Sequence, residues 1–169
     1  MKVLFLDIDG VLNSHTWFSR EGAIRRIRSD DEIVLSEFDP TAVARLQRVL
    51  DVTKAEIVLS SSWRILPSNY EAAQRGVGQK FLGRTVNHVF RNGNFLARGY
   101  EIQAWLQANA DRNVEAFAAV DDDTGDEWPE EILERFVHTS WQTGLLDEHV
   151  DQLIALLGPA GQDDGGPRS

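Results

Sequence analysis

Four short apolar runs stand apart from the rest of the chain, and each predicts a buried β-strand. They occupy residues 3–6, 57–59, 117–120 and 136–137. None of them alternates with polar residues, which is typical of parallel strands that are covered on both faces. The runs therefore predict a parallel sheet in the interior of the protein.

Three stretches between or after these runs repeat apolar residues at helical spacing. The first follows Asp39 and Pro40, a typical N-cap and first-turn pair. The second follows Arg98 and Gly99, and the third ends at Leu157. Because strands and helices alternate, we predict an α/β fold of three layers with a central parallel sheet.

Two long connections and a polar tail do not fit this alternation. Residues 13–38 and 65–97 are rich in Arg, Asn, Gly and aromatic side chains, and connections of this length are usually functional or disordered. Residues 158–169 have almost nothing to bury and are predicted to be disordered. The 169 residues thus predict one domain over residues 1–157, with two inserts near its site.

The net charge of −10 argues against a surface built to bind extended duplex nucleic acid or a membrane. Residues 1–100 nevertheless carry 14 basic and 11 acidic side chains, so an anionic partner is expected to contact this part. The chain contains no cysteine, which excludes disulfides and thiolate metal sites. No apolar run is long enough for an export signal or a membrane span, and we expect a soluble, cytoplasmic protein.

Polar side chains follow three of the four predicted strands. The carboxyl ends of parallel strands form one edge of the sheet, where ligands of open α/β folds bind. Several carboxylates at this edge would repel one another, and a divalent cation would neutralise them; Mg²⁺ fits best because it prefers oxygen ligands and phosphate. The residues concerned are Asp7, Asp9, Gly10, Ser60, Ser61, Arg64, Asp121, Asp122 and Asp123.

A carboxylate beside Mg²⁺ and a phosphate ester can act as a nucleophile and form an aspartyl-phosphate, which water then hydrolyses. Asp7 would be this nucleophile, and Asp9 would protonate the leaving oxygen and later deprotonate the water. Gly10 would allow a tight turn beside the phosphate, and Ser60 would offer its hydroxyl and N–H to a phosphoryl oxygen. Ser61 is a further candidate for substrate binding.

These residues resemble the motifs of the haloacid dehalogenase-like (HAD) superfamily of phosphatases and phosphotransferases. DIDGVLN at 7–13 is similar to its motif I, Ser60 to its motif II, and the acidic run at 121–123 to its motif IV. Four segments further resemble the HAD domain of Swiss Army Knife RNA repair proteins, namely IVLSSSWR, RGYEIQAWL, AAVDDD and TGLLDEHVDQLIALL. The resemblance implies a Rossmann-like fold with a minimal cap or none.

The same resemblance implies a role for each matching residue. Asp7 would be the nucleophile and a Mg²⁺ ligand, and Asp9 would be the acid and base, with its backbone carbonyl on the metal. Ser60 would hold the phosphoryl group. Asp122 would complete the metal site, with Asp121 or Asp126 as alternatives.

A basic motif III residue is also expected from the resemblance, and three residues compete for this role. Arg98 precedes the second predicted helix and is our choice, whereas Arg64 follows Ser60 closely and Lys80 lies between them in the chain. The sequence leaves this choice open.

A basic patch follows motif I and includes Arg20, Arg25, Arg26 and Arg28. It would contact the phosphates of a nucleic-acid end, with Trp17 or Phe18 stacking on a base, or else form a solvated helix face. The other four tryptophans are interpreted as core or packing residues. They are Trp63, Trp105, Trp128 and Trp141.

We therefore predict a Mg²⁺-dependent phosphomonoesterase that acts on a phosphorylated substrate. The resemblance implies a nucleic-acid end, such as a 3′-phosphate. A small phosphorylated metabolite or nucleotide is the alternative substrate. A binding module that keeps the HAD fold without catalysis is the alternative function, although the presence of both Asp7 and Asp9 argues against it.

Overall fold

The architecture is taken from a computed structural model that describes residues 1–20, 38–86, 90–91, 94–95 and 97–161. Its strands are β1 (Lys2–Leu6), β2 (Glu56–Leu59), β3 (Gly83–Arg84), β4 (Phe90–Arg91), β5 (Asn94–Phe95), β6 (Ala116–Asp121) and β7 (Phe136–His138). Five of them form a parallel sheet in the order β3, β2, β1, β6, β7, and β4 pairs with β5 in an antiparallel hairpin.

Helices cover both faces of the sheet. They are α1 (His15–Phe18), α2 (Pro40–Thr53), α3 (Pro67–Val77), α4 (Arg98–Ala108), α5 (Glu130–Leu133) and α6 (Asp147–Leu157). Leu4 and Leu6 of β1 pack in one apolar cluster with α2, α3 and α6, whereas Val3 and Phe5 pack in a second cluster with α4 and α5. Alternate side chains of one strand thus face two helical layers, as in a three-layer α/β fold.

The four predicted strands and the three predicted helices are all present, and the predicted fold class is confirmed. At the start of α2, Asp39 Oδ1 accepts a hydrogen bond of 2.9 Å from the Thr41 N–H, as an N-cap should. Helix α4 begins at Arg98 itself rather than after Gly99. The site therefore lies on a scaffold that the sequence pattern describes well.

Residues 65–97, predicted as one connection, contain helix α3 and strand β3. The sequence pattern missed α3 because two of its three buried residues are alanines, Ala72 and Ala73, which mark an apolar face weakly. It missed β3 because this strand has two residues and neither is a large apolar one. Trp141 is not a core residue, since 46% of its surface is exposed, although its ring lies 6.1 Å from that of Phe18.

The first residues of the predicted tail contact the domain. Lys2 Nζ donates to the Gly158 carbonyl at 2.8 Å, and the Ala160 N–H donates to the Val52 carbonyl at 2.8 Å. Residues 162–169 lie outside the described part of the chain. Among the described helices, none is both long and apolar enough to cross a membrane.

We expect His149 to make the stability of the fold depend on pH. Its Nδ1 accepts a 3.0 Å hydrogen bond from the Leu146 N–H at the start of α6, which requires a neutral ring. Burial lowers the pKa of His149 below its usual 6.5. The ring of His149 therefore binds a proton more readily in the unfolded chain than in the folded protein. Its contribution to the stability of the fold is present above pH 6.5 and is lost as the pH falls toward the folded-state pKa of His149.

We expect His149→Gln to reduce this pH dependence, because glutamine keeps an acceptor for the same N–H but does not titrate. The measurement is the free energy of unfolding in urea at about pH 7.5 and at about pH 5. Between these two pH values, the wild type should lose up to about 1 kcal/mol more of this free energy than the variant, which is the usual contribution of one helix cap. Equal losses in the two proteins would show that the His149 ring does not cause the effect.

Candidate active site

The sheet register places three polar residues side by side at its carboxyl edge. Leu6 of β1 pairs with Leu59 of β2 and with Val120 of β6, so the next residue of each strand lies at the same level. The Asp7 N–H donates to the Val120 carbonyl at 3.0 Å, and the Ser60 N–H donates to the Leu6 carbonyl at 2.9 Å. The pairing of the strand backbones thus extends to Asp7 and Ser60 and fixes the position of these two residues.

Three carboxylates meet at this edge. Asp7, Asp121 and Asp122 each offer an oxygen within 4.8 Å of the others, and Asp7 and Asp121 are almost fully buried. Gly10 makes room for this group, because a Cβ on it would lie 2.3 Å from Asp122 Oδ2 and its φ is +73°. The donor set consists of carboxylate oxygens, which fits Mg²⁺.

Asp126, the other alternative for the metal site, lies outside this cluster. It is exposed and accepts a 2.9 Å hydrogen bond from Thr124 Oγ1 within its own loop. The structure therefore groups Asp122 and Asp121 with Asp7 and leaves Asp126 apart.

Arg98 bridges the two buried carboxylates. Its Nη1 lies 2.7 Å from Asp7 Oδ1 and also donates to the Asp121 carboxylate. Burial acts to lower the pKa of Arg98, but the two carboxylates outweigh it and raise that pKa. Arg98 therefore remains a cation at the centre of the site.

Burial also shifts the pKa values of the carboxylates. It raises the pKa of Asp7 to about 8, against the opposing effects of Arg98 and of a hydrogen bond from the Ser61 side chain. Burial also raises the pKa values of Asp121 and Asp122. A metal ion that binds here would displace protons as well as water.

The two rivals of Arg98 lie in different surroundings. Arg64 is buried, with Nη2 2.5 Å from Glu101 Oε2 and Nη1 donating to the Ser60 carbonyl at 2.5 Å. Burial lowers the pKa of Arg64, and Glu101 opposes this effect. Lys80 is exposed and comes before the amino end of β3. The site faces the other end of this strand, its carboxyl end. Of these three described cations, Arg98 is the one bonded to Asp7.

Asp9 and the two serines complete the predicted set. Asp9 accepts a hydrogen bond on each carboxylate oxygen, from Asn13 Nδ2 at 2.8 Å and from Trp63 Nε1 at 3.1 Å. Ser60 and Ser61 are both buried, and the Ser61 side chain acts to lower the pKa of Asp7. Arg25 lies outside the described residues.

Sequence reasoning missed four residues that support the site. Asn13 and Trp63 bind Asp9, and Glu101 binds Arg64. Thr139 Oγ1 donates to the Gly10 carbonyl at 2.8 Å. Asn13, Trp63 and Glu101 lie within the sequence segments that resemble the HAD family. The polar residues of those segments were therefore the signal by which sequence analysis could have found them.

The parallel sheet and the aspartates at its carboxyl edge define an α/β protein of the HAD class. A family model described as the HAD domain in Swiss Army Knife RNA repair proteins matches residues 3–150. The chain belongs to this family. Searches of curated proteins and of solved structures gave no match.

Proposed function

We propose that the protein is a Mg²⁺-dependent phosphomonoesterase that forms an aspartyl-phosphate on Asp7. The observation that carries this proposal is the position of Asp7, which is buried, is one of three converging carboxylates and is paired with Arg98. HAD-family membership supports the same class of chemistry. Asp7, Asp121 and Asp122 would hold the metal, which would neutralise negative charge on the carboxylates and the phosphoryl oxygens.

The reaction proceeds in two steps on the residues of this chain. Asp7 attacks phosphorus, the ester bond breaks, and the leaving oxygen takes a proton from Asp9. Water then attacks the phosphoryl group, Asp9 takes its proton, and the acyl-phosphate bond breaks to release phosphate and restore Asp7. Ser60 and Ser61 bind phosphoryl oxygens, and Arg98 offsets the negative charge of the Asp7 carboxylate before the attack and again once hydrolysis has restored it.

The substrate we propose is a phosphorylated nucleic-acid end. The description of the family supports it. Three features near the end of motif I also support this substrate. The guanidinium carbon of Arg20 lies 5.3 Å from the centroid of the Trp17 ring. The ring centroids of Phe18 and Trp141 lie 6.1 Å apart, and Trp141 is exposed. An exposed aromatic surface with a nearby cation suits an unpaired base and its phosphate.

Phosphate release from a panel of substrates tests this function. The panel contains an aryl phosphate, nucleotides, a sugar phosphate, and oligonucleotides with a 3′- or a 5′-phosphate. We expect release with Mg²⁺, loss of release by at least about 10²-fold in EDTA, and recovery when excess Mg²⁺ is added. The best substrate then distinguishes nucleic-acid ends from small metabolites.

One control and two possible outcomes make the result decisive. The activity must coincide with the protein peak on gel filtration, so that it belongs to this chain. Release that persists in EDTA would contradict the metal dependence, and absence of release from every substrate would favour a binding module.

A further inference from the structure

The carboxylate of Asp9 is held from two sides by side chains of two different segments. Asn13 donates from Nδ2 to Asp9 Oδ1 at 2.8 Å. The other end of the same amide is also engaged, because Asn13 Oδ1 accepts the Gly10 N–H at 3.1 Å. Asn13 is 1% exposed. Its amide therefore has one orientation, with the donor directed at Asp9.

Trp63 supplies the second contact, through its indole Nε1, which donates to Asp9 Oδ2 at 3.1 Å. Trp63 belongs to a 3₁₀ helix (Ser62–Arg64) that follows β2, and its own N–H is capped by Ser61 Oγ at 3.4 Å. The Trp63 ring packs against Phe38, with ring centroids 5.5 Å apart. Both the backbone and the ring of Trp63 are therefore fixed, which fixes the direction of its N–H.

We propose that Trp63 and Asn13 are positioning residues, which orient the Asp9 carboxylate for proton transfer to the leaving oxygen. This inference rests on the proposed function. An indole N–H donates but neither accepts nor titrates, so Trp63 holds Asp9 without competing for its proton. Proton transfer requires hydrogen-bond distance between the acid and the leaving oxygen, and a displacement of about 1 Å can cost about 10²-fold in rate.

Trp63→Phe removes the N–H and leaves an aromatic ring to pack on Phe38. The informative measurement is kcat/KM for two substrates that differ in their need for an acid, an alkyl phosphate and p-nitrophenyl phosphate. An alkoxide leaves poorly without a proton, whereas p-nitrophenolate leaves readily as an anion. We expect the variant to lose about tenfold more activity on the alkyl phosphate than on the aryl phosphate.

Two further variants set the scale of this effect. Asp9→Asn removes the acid and should show the largest difference between the two substrates. In the double variant Trp63→Phe/Asp9→Asn, the Trp63 change should add little, because Trp63 acts through Asp9.

Trp105→Phe is the matched control, since it makes the same change in the core, where Trp105 packs on Phe5. Any general loss of stability in this variant should lower both rates by one factor. If Trp63→Phe does not fold, Asn13→Ala provides the second test and should show the same preference for the aryl phosphate.

The possible outcomes separate the inference from the proposed function. Equal losses on both substrates for Trp63→Phe and Asn13→Ala would mean that these residues have a merely structural role, and would overturn the inference. A wild-type protein that releases no phosphate from either substrate with Mg²⁺ would instead overturn the proposed function. A selective loss on the alkyl phosphate supports both.

Discussion

Asp7→Asn is expected to abolish phosphate release, with a loss of at least about 10³-fold in kcat. An amide of the same shape cannot form the aspartyl-phosphate, and it also removes one of the three converging carboxylates. The measurement is phosphate release with Mg²⁺ from the best substrate of the panel.

The fold should tolerate this change. Asp7 is buried, and burial raises its pKa to about 8, so the folded protein already disfavours its charge. Arg98 keeps its partner Asp121 in the variant. We therefore expect a thermal unfolding temperature close to that of the wild type, and a loss of activity can then be assigned to chemistry.

The matched control is Asp111→Asn, which makes the same change at an exposed aspartate in the 3₁₀ helix Ala110–Arg112. It should keep full activity. If Asp7→Asn were as active as Asp111→Asn, Asp7 could not be the nucleophile, and the proposed mechanism would fail.

Arg98→Met is expected to lower kcat by about 10² to 10³-fold, the usual loss when one group that stabilises the transition state is removed. The variant leaves Asp7 and Asp121 without the cation that bridges them. Asp7 would then attack the negatively charged phosphate with less positive charge nearby to offset the repulsion between them. The rate with saturating Mg²⁺ is the quantity to measure, so that metal loss does not mimic the effect.

Lys80→Met is the control for Arg98→Met, because Lys80 is exposed and lies before β3. It should leave kcat unchanged. Should Lys80→Met lose activity while Arg98→Met retains it, the assignment of the cation would be wrong. Retention by both variants would make Arg64 the remaining candidate, since Arg64 binds the Ser60 carbonyl.

Most of the fold could be predicted because its elements have a strong apolar pattern. Strands β1, β2 and β6 are short apolar runs, and α2 and α6 carry clear apolar faces. Helix α3 and strand β3 were not predictable in this way. The first buries small side chains, and the second is held by backbone pairing with β2 rather than by apolar residues of its own.

The amino-acid sequence alone determined which residues lie at the carboxyl edge of the sheet. Asp7, Ser60 and Asp121 each sit at a strand end, and parallel pairing brings such ends together whatever the rest of the chain does. For the same reason, the sequence could indicate an oxygen-rich metal site before any geometry was available.

Only the tertiary structure decided which side chains at that edge touch one another. Trp63 reaches Asp9 across 54 residues of chain, and Arg64 reaches Glu101 across 37. Such contacts depend on the direction in which each side chain leaves the backbone after its strand ends, and local spacing does not specify that direction. The pairing of Arg98 with Asp7, and the hydrogen bond from Trp63 to Asp9, follow from that three-dimensional packing.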